Sequence, residues 1–307
     1  MKKLLAFVLA LLALLSLTAC AGSDHTIEIT PAEYLEEAKA QIIEHCPDEY
    51  AKEKLEVLYG TLTKVKYYSE TCERDRYVNI LLPAGYSEDK KYPVLYALHG
   101  YWGSEDSLCC PTDANPASVE IIGNLIANGE AEEMIVVFPN IFCSKELEYV
   151  TGMDDKNNAA YDNFINELLN DLMPFIEENY SIAKGRENTA ITGFSMGGRE
   201  SLYIGFTHPD KFGYIGAVCP APGVMELIPE DELVFESEED LPYVLLITAG
   251  SNDTLIYNVP ETYHYALQNN GVDHIWSYVI GGYHGDNSIR SNIFNFCRVI
   301  FKHRVEN

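Results

Sequence analysis

Short, unbroken apolar runs alternate with longer stretches in which apolar residues recur every three or four positions, from about residue 60 to the end of the chain. The runs 61–68, 77–82, 94–98, 134–138, 189–192, 214–218, 243–248 and 275–280 predict strands. The stretches 119–128, 161–178, 197–207, 260–269 and 287–303 predict helices. The later strands lack an alternating polar face, as strands covered by helices on both sides do. The pattern predicts an α/β fold around a mostly parallel eight-stranded sheet, with its chemistry at the carboxyl ends of the strands. Ahead of it, 32–58 reads as one or two amphipathic helices with Leu35, Ala38 and Ile42 on one stripe. They either space the domain from a membrane or pack on it.

The start of the chain does not belong to this pattern. Lys2 and Lys3 precede an apolar run over 4–15 and then small residues, the build of an export signal. Leu17-Thr18-Ala19-Cys20 resembles the bacterial lipobox, in which the cysteine becomes the lipidated first residue. The organisation expected is a lipoprotein signal peptide over 1–19, a helical spacer over 20–58 and one domain over 59–307. The chain is expected outside the cytoplasm, held to the membrane by a lipid on Cys20.

Export changes how the cysteines are read. With Cys20 lipidated, Cys46, Cys72, Cys109, Cys110, Cys143, Cys219 and Cys297 remain, an odd number whose spacing matches no zinc site. Outside the cell some of them can be bridged; as free thiols they behave as small apolar residues. Charge narrows the partners. With 21 basic against 47 acidic residues, a net charge of −26 excludes nucleic acid, whose binding rests on clustered Lys and Arg.

Candidate chemistry centres on Gly193-Phe194-Ser195-Met196-Gly197-Gly198, between a predicted strand and a predicted helix. In that context G-x-S-x-G is a tight turn that exposes a serine hydroxyl, and the helix start offers N–H groups to a developing oxyanion. Serine needs a base, and the base an orienting acid. Asp253 follows the strand 243–248 and His284 follows the strand 275–280, in the chain order Ser, Asp, His that this architecture uses. His208, His264 and His274 fit the base position less well: one lies in a His-Pro turn, one in a helix, one before the last strand. A third element, Leu98-His99-Gly100-Tyr101-Trp102-Gly103, follows the strand 94–98. Its glycine turn aims the Tyr101 N–H at the same oxyanion as the Met196 N–H, while His99 braces the loop.

These four motifs in order resemble the esterase-D-like α/β-hydrolases over roughly 62–301. Within them the chain is most similar to secreted bacterial carbohydrate esterases of the feruloyl and acetyl-xylan type. It departs from many relatives in reading Gly282-Tyr283-His284-Gly285, where they have Gly-His-Asp-Trp. The resemblance implies an α/β-hydrolase fold and a serine esterase acting on feruloyl or acetyl esters of plant-wall polysaccharide. It implies a Ser195, His284, Asp253 triad, an acyl-enzyme, and neither metal nor organic cofactor. Trp102, beside the oxyanion turn, is expected to stack on substrate. The segment 225–241 carries eight acids and no base; it reads as a solvated loop, or as a lid over the acyl pocket. Two alternatives remain: an enterochelin-esterase-like or other small-ester hydrolase, and a non-catalytic binding lipoprotein on the same scaffold.

Overall fold

The computed structural model describes residues 25–110, 116–222 and 227–306. The leader and the lipobox Cys20 lie outside the described residues. In chain order the elements are β1 (His25–Ile27), α1 (Pro31–Lys39), β2 (Thr61–Ser69), β3 (Arg74–Leu82), β4 (Val94–Leu98), α2 (Ser118–Ala127) and β5 (Ile135–Pro139). There follow α3 (Asp155–Asp162), α4 (Phe164–Glu167), α5 (Met173–Asn179), β6 (Thr189–Phe194), α6 (Met196–Thr207) and β7 (Tyr214–Val218). The chain closes with β8 (Val244–Gly250), α7 (Val259–Asn269), β9 (Ile275–Val279), α8 (Asp286–Val299) and β10 (Arg304–Glu306).

Eight strands form one sheet in the order β2-β3-β5-β4-β6-β7-β8-β9. The β2–β3 and β3–β5 pairs are antiparallel, and the rest are parallel. Successive residues of each inner strand face opposite layers. Tyr96, Ile191, Ile215 and Ile247 pack with Phe164, Leu168, Leu202 and Leu267 of the helices on one side. Leu95, Ala190, Tyr214 and Leu246 pack with Ile121, Leu125, Ile293 and Phe296 on the other. This two-sided burial is why strands β4, β7 and β8 read as continuous apolar runs. The edge strand β9 instead alternates: Ile275, Ser277 and Val279 are buried, and Tyr278 is exposed.

The described part of the segment expected as a helical spacer, 25–58, packs on the domain, the second of the two placements its apolar stripe allowed. It contains one nine-residue helix, α1, opened by a Thr30–Glu33 capping box and Pro31. Tyr34, Leu35 and Ala38 enter the second core layer. The Tyr34 hydroxyl donates to Val299 O at 2.7 Å and accepts from Lys302 N–H at 2.8 Å. Buried Asn295 and Asn124 hold the backbone of Ile43, Tyr50 and Lys52. The apolar stripe faces the sheet, because that is where its surface leaves water.

Two helices also differ from expectation. The stretch 161–178 is three short helices, α3 beginning at Asp155, with a π-helical turn at Leu168–Leu172 ahead of α5. Pro174 in the first turn of α5 has no N–H to give the ladder, which accounts for the wide turn before it. The helix over 287–303 stops at Val299, and the chain turns into β10, which pairs with β1. No helix among the described residues is long and apolar enough to cross a membrane.

Candidate active site

Ser195 sits between β6 and α6 with φ 55° and ψ −113°, a conformation costing on the order of 1–3 kcal/mol. Neighbouring backbone holds it there. Its N–H donates to Val218 O at 2.9 Å, and its carbonyl accepts from Ala221 N–H at 3.0 Å. The flanking glycines answer to contact rather than flexibility. A Cβ on Gly193 would stand 2.2 Å from Gly197 O, and one on Gly197 would stand 2.5 Å from the carbonyl oxygens of both Leu98 and His99. The elbow therefore packs, backbone against backbone, on the turn that follows β4.

The loops after β8 and β9 bring Asp253 and His284 to this serine. His284 Nε2 is 2.9 Å from Ser195 Oγ, and Nδ1 is 2.6 Å from Asp253 Oδ2. A carboxylate only accepts, so Nδ1 carries the proton and the Nε2 lone pair faces the Ser195 hydroxyl. Asp253 Oδ1 accepts from the N–H groups of Leu255 (2.9 Å) and Ile256 (3.2 Å), which fix its plane. The Asp253 side chain is 1% exposed and that of His284 is 11% exposed, so the acid is dry while the imidazole keeps one open edge. The Phe194 ring lies 4.8 Å from the imidazole centroid and backs it. His264 and His274 hydrogen-bond each other at 2.7 Å, apart from this group.

On the turn after β4, buried His99 donates from Nδ1 to Gly100 O (2.7 Å) and accepts at Nε2 from Ile141 N–H (3.0 Å). Burial pushes its pKa down to about 4, against the raising effect of the Gly100 bond, so it is a neutral brace. The Trp102 N–H is committed to the Tyr161 hydroxyl at 3.1 Å, and the Gly103 N–H to Gly100 O at 3.1 Å. The Tyr101 hydroxyl donates to Gly152 O at 2.9 Å. Tyr161 and Asn158, which also meets the Tyr101 hydroxyl at 3.3 Å, hold this turn from α3. The sequence carried no signal for either, since they lie in a helix with no motif. A cleft of about 510 Å³ opens between Tyr101, Trp102, Leu108, Phe194, His284 and Ile289. Trp102 is 57% exposed at its mouth, with φ 67°.

The far part of the acidic segment lies elsewhere. Over its described part, 227–241, Phe235 stacks on Phe206 of α6. Arg186, three residues before β6, donates to the carbonyls of Asp240 and Leu241. That end of the sheet is opposite the serine, so 235–241 lies away from the cleft, whereas Ile228 stays near the serine end, its N–H donating to the Tyr263 hydroxyl, which itself donates to Ala221 O. Two groups of metal-capable side chains come together among the described residues, Cys219 with Asp253 and His284, and Cys72 with Cys143 and Glu167. In the first, both His284 nitrogens are already engaged. In the second, Arg76 pairs with Glu167 at 3.1 Å and leaves little room for a cation's charge.

A parallel sheet with one antiparallel margin, carrying a serine on a strained turn within hydrogen-bond reach of an imidazole and its carboxylate, places the chain among the α/β-hydrolases. Comparison with known proteins narrows this. The Esterase family ("Putative esterase") matches residues 69–241, and the chain belongs to that family as a carboxylic-ester hydrolase. A ferulic acid esterase from Anaeromyces mucronatus, solved in complex with ferulic acid, is 42% identical with a TM-score of 0.80, over 85% of this chain and 98% of that one. An endo-1,4-β-xylanase/feruloyl esterase from Xylanibacter ruminicola is 31% identical over 192 residues, 61% of this chain. The chain spans about a quarter of that curated relative's length, the match covering 25% of it. An S-formylglutathione hydrolase from Staphylococcus aureus shares the fold at 20% identity and a TM-score of 0.56, over 81% of this chain and all of that one.

Proposed function

We propose that the chain removes feruloyl groups from plant cell-wall polysaccharide outside the cytoplasm, tethered through Cys20. The observation that carries the chemistry is the continuous set of hydrogen bonds from Ser195 through His284 to Asp253. In this reading His284 Nε2 takes the proton of Ser195 as Oγ attacks the ester carbonyl. The buried Asp253 carboxylate stabilises the imidazolium that forms. His284 then passes that proton to the departing sugar oxygen, leaving an acyl-enzyme on Ser195. Water, deprotonated by the same imidazole, releases the aromatic acid.

The oxyanion is received by two N–H groups. Met196 opens α6, where N–H groups have no partner within the helix. On the facing turn the N–H groups of Trp102 and Gly103 are committed, which favours Tyr101 as the second donor. The chemistry calls for neither metal nor organic cofactor. The aromatic flank of the cleft favours a phenolic acyl group over acetyl, and the relative solved with ferulic acid supports the same choice. The leader and the lipobox at Cys20 support the location.

The test is steady-state hydrolysis of methyl ferulate, p-nitrophenyl acetate, feruloylated arabinoxylan and acetylated xylan by wild type and by Ser195→Ala. The expected result is preference for the feruloyl esters and loss of turnover in the variant. No turnover of any ester, or equal turnover by the variant, refutes the catalytic reading and leaves the binding lipoprotein. Detergent-phase partitioning of wild type and Cys20→Ala tests the tether separately.

A further inference from the structure

We propose that Cys72 and Cys143 close a disulfide in the exported chain. The proposal rests on the extracytoplasmic part of the reading above and is independent of the ester chosen. Cys72 lies at the tip of the β2–β3 hairpin and Cys143 in the loop after β5, 71 positions apart in the chain. Their Sγ atoms are 3.0 Å apart and both residues are 1% exposed. A bonded pair stands near 2.05 Å, so about 1 Å of side-chain movement converts contact into bond.

The surrounding structure holds both cysteines in place. The Cys72 N–H donates to Ser69 Oγ at 2.9 Å, and Ser69 is tied in turn to Asp171. The Cys143 N–H donates to Ala160 O at 2.9 Å, and Asn163 Nδ2 donates to Cys143 Sγ at 3.3 Å. The two thiols are also unlike. The hydrogen bond from Cys143 lowers the pKa of Cys72 against the cost of burial, with Arg76 assisting, while the same contact and burial raise that of Cys143. In exchange a thiolate attacks a disulfide, so the cysteine that gives up its proton more readily takes the first step. Cys109 and Cys110 are chain neighbours with sulfurs 3.9 Å apart, and no contact joins Cys46, Cys219 or Cys297 to another cysteine among the described residues.

The oxidant is a small disulfide or an oxidised dithiol protein of the exporting compartment. The Cys72 thiolate attacks one sulfur of that disulfide and expels a thiolate. Cys143 then loses its proton and attacks the Cys72 sulfur, expelling the second thiolate. The two leaving thiolates take up the two protons, so the oxidant is reduced to two thiols and the chain loses two hydrogens. Because both cysteines are buried in the finished fold, exchange belongs to folding, before the hairpin tip closes over them.

The experiment refolds the reduced, denatured full chain in a glutathione redox couple, alkylates it in denaturant without reductant, and maps its peptides by mass. The expected result is a linked pair of peptides carrying Cys72 and Cys143, two hydrogens light, with Cys46, Cys109, Cys110, Cys219 and Cys297 alkylated. The oxidised chain is expected to lose about 5–10 °C of Tm on adding dithiothreitol, the scale set by closing a loop of this size. The Cys72→Ala, Cys143→Ala double variant is expected to show no such loss. Alkylation of both cysteines in the refolded chain overturns the proposal. So does stoichiometric zinc in the purified protein with both thiols free. The refolding arm does not depend on location, so export failing and pairing failing are read separately.

Discussion

Gly197→Ala isolates the contact between the elbow and the turn after β4. In an unencumbered helix this change stabilises by about 1 kcal/mol. Here the new methyl would stand 2.5 Å from Leu98 O and His99 O and 2.7 Å from Leu98 C, where ordinary contact begins at 3.4 Å. All three atoms are backbone in or just after a central strand, so α6 and the turn must part by roughly 1 Å. Overpacking of this kind costs about 1–3 kcal/mol. With rigid backbone on one side the upper end applies, for a net loss of about 2 kcal/mol and a fall in Tm of about 5 °C. Catalysis suffers more, because the same movement separates the Met196 and Tyr101 N–H groups. A misplacement of about 1 Å costs roughly 100-fold in rate. Urea unfolding and kcat/KM on methyl ferulate measure the two effects. A variant as stable as wild type with kcat/KM within twofold refutes the reasoning, since backbone packing would then not set the site.

Three further outcomes follow from the same geometry. Asp253→Asn keeps the shape but offers the imidazole a wrong partner, and kcat is expected to fall about 10⁴-fold with KM little changed; a loss under tenfold counts against Asp253 as the orienting acid. His99, held neutral to about pH 4 against an ordinary 6.5, is protonated in the unfolded chain first. Falling pH between 6.5 and 4 therefore removes stability, roughly 3 kcal/mol in all, and the loss levels off below 4. His99→Asn is expected to unfold with a shallower pH dependence in that window, and an unchanged slope in urea titrations refutes the assignment. Trp102→Ala removes the exposed ring at the cleft mouth, and the ratio of kcat/KM for methyl ferulate over p-nitrophenyl acetate is expected to fall about tenfold, the worth of one aromatic contact; an unchanged ratio removes Trp102 from substrate binding.

The parts of the fold legible in the chain were those whose burial is complete. Val94–Leu98 and Tyr214–Val218 are apolar throughout because helices cover both faces, so their limits coincide with the predicted runs. Ser195, His284 and Asp253 were found because a turn after a strand announces itself with glycine and polar residues, and strand order then says which turns meet. Long-range pairing has no such local sign. Three residues of β1 and three of β10 make a ribbon only because Arg304–Glu306 comes back beside them. The stripe on α1 announced a buried face but not its partner, and Tyr34 settles that through bonds to Val299 and Lys302. The break in 161–178 was equally hidden, since Pro174 interrupts the ladder without interrupting the apolar rhythm.

The β1–β10 ribbon also orients the molecule. Arg304 reaches Asn188 at 2.8 Å, and Asn188 immediately precedes β6, whose far end carries Ser195. Six residues of strand span about 20 Å. His25, the first described residue, therefore lies at one pole of the sheet and the reactive hydroxyl at the other. If the chain is anchored through Cys20 as proposed, the lipid bilayer would be at the back and the cleft would look outward. On that reading an insoluble fibre too broad to slide beneath the enzyme would be approached head-on, and its side groups clipped while the main chain stays outside.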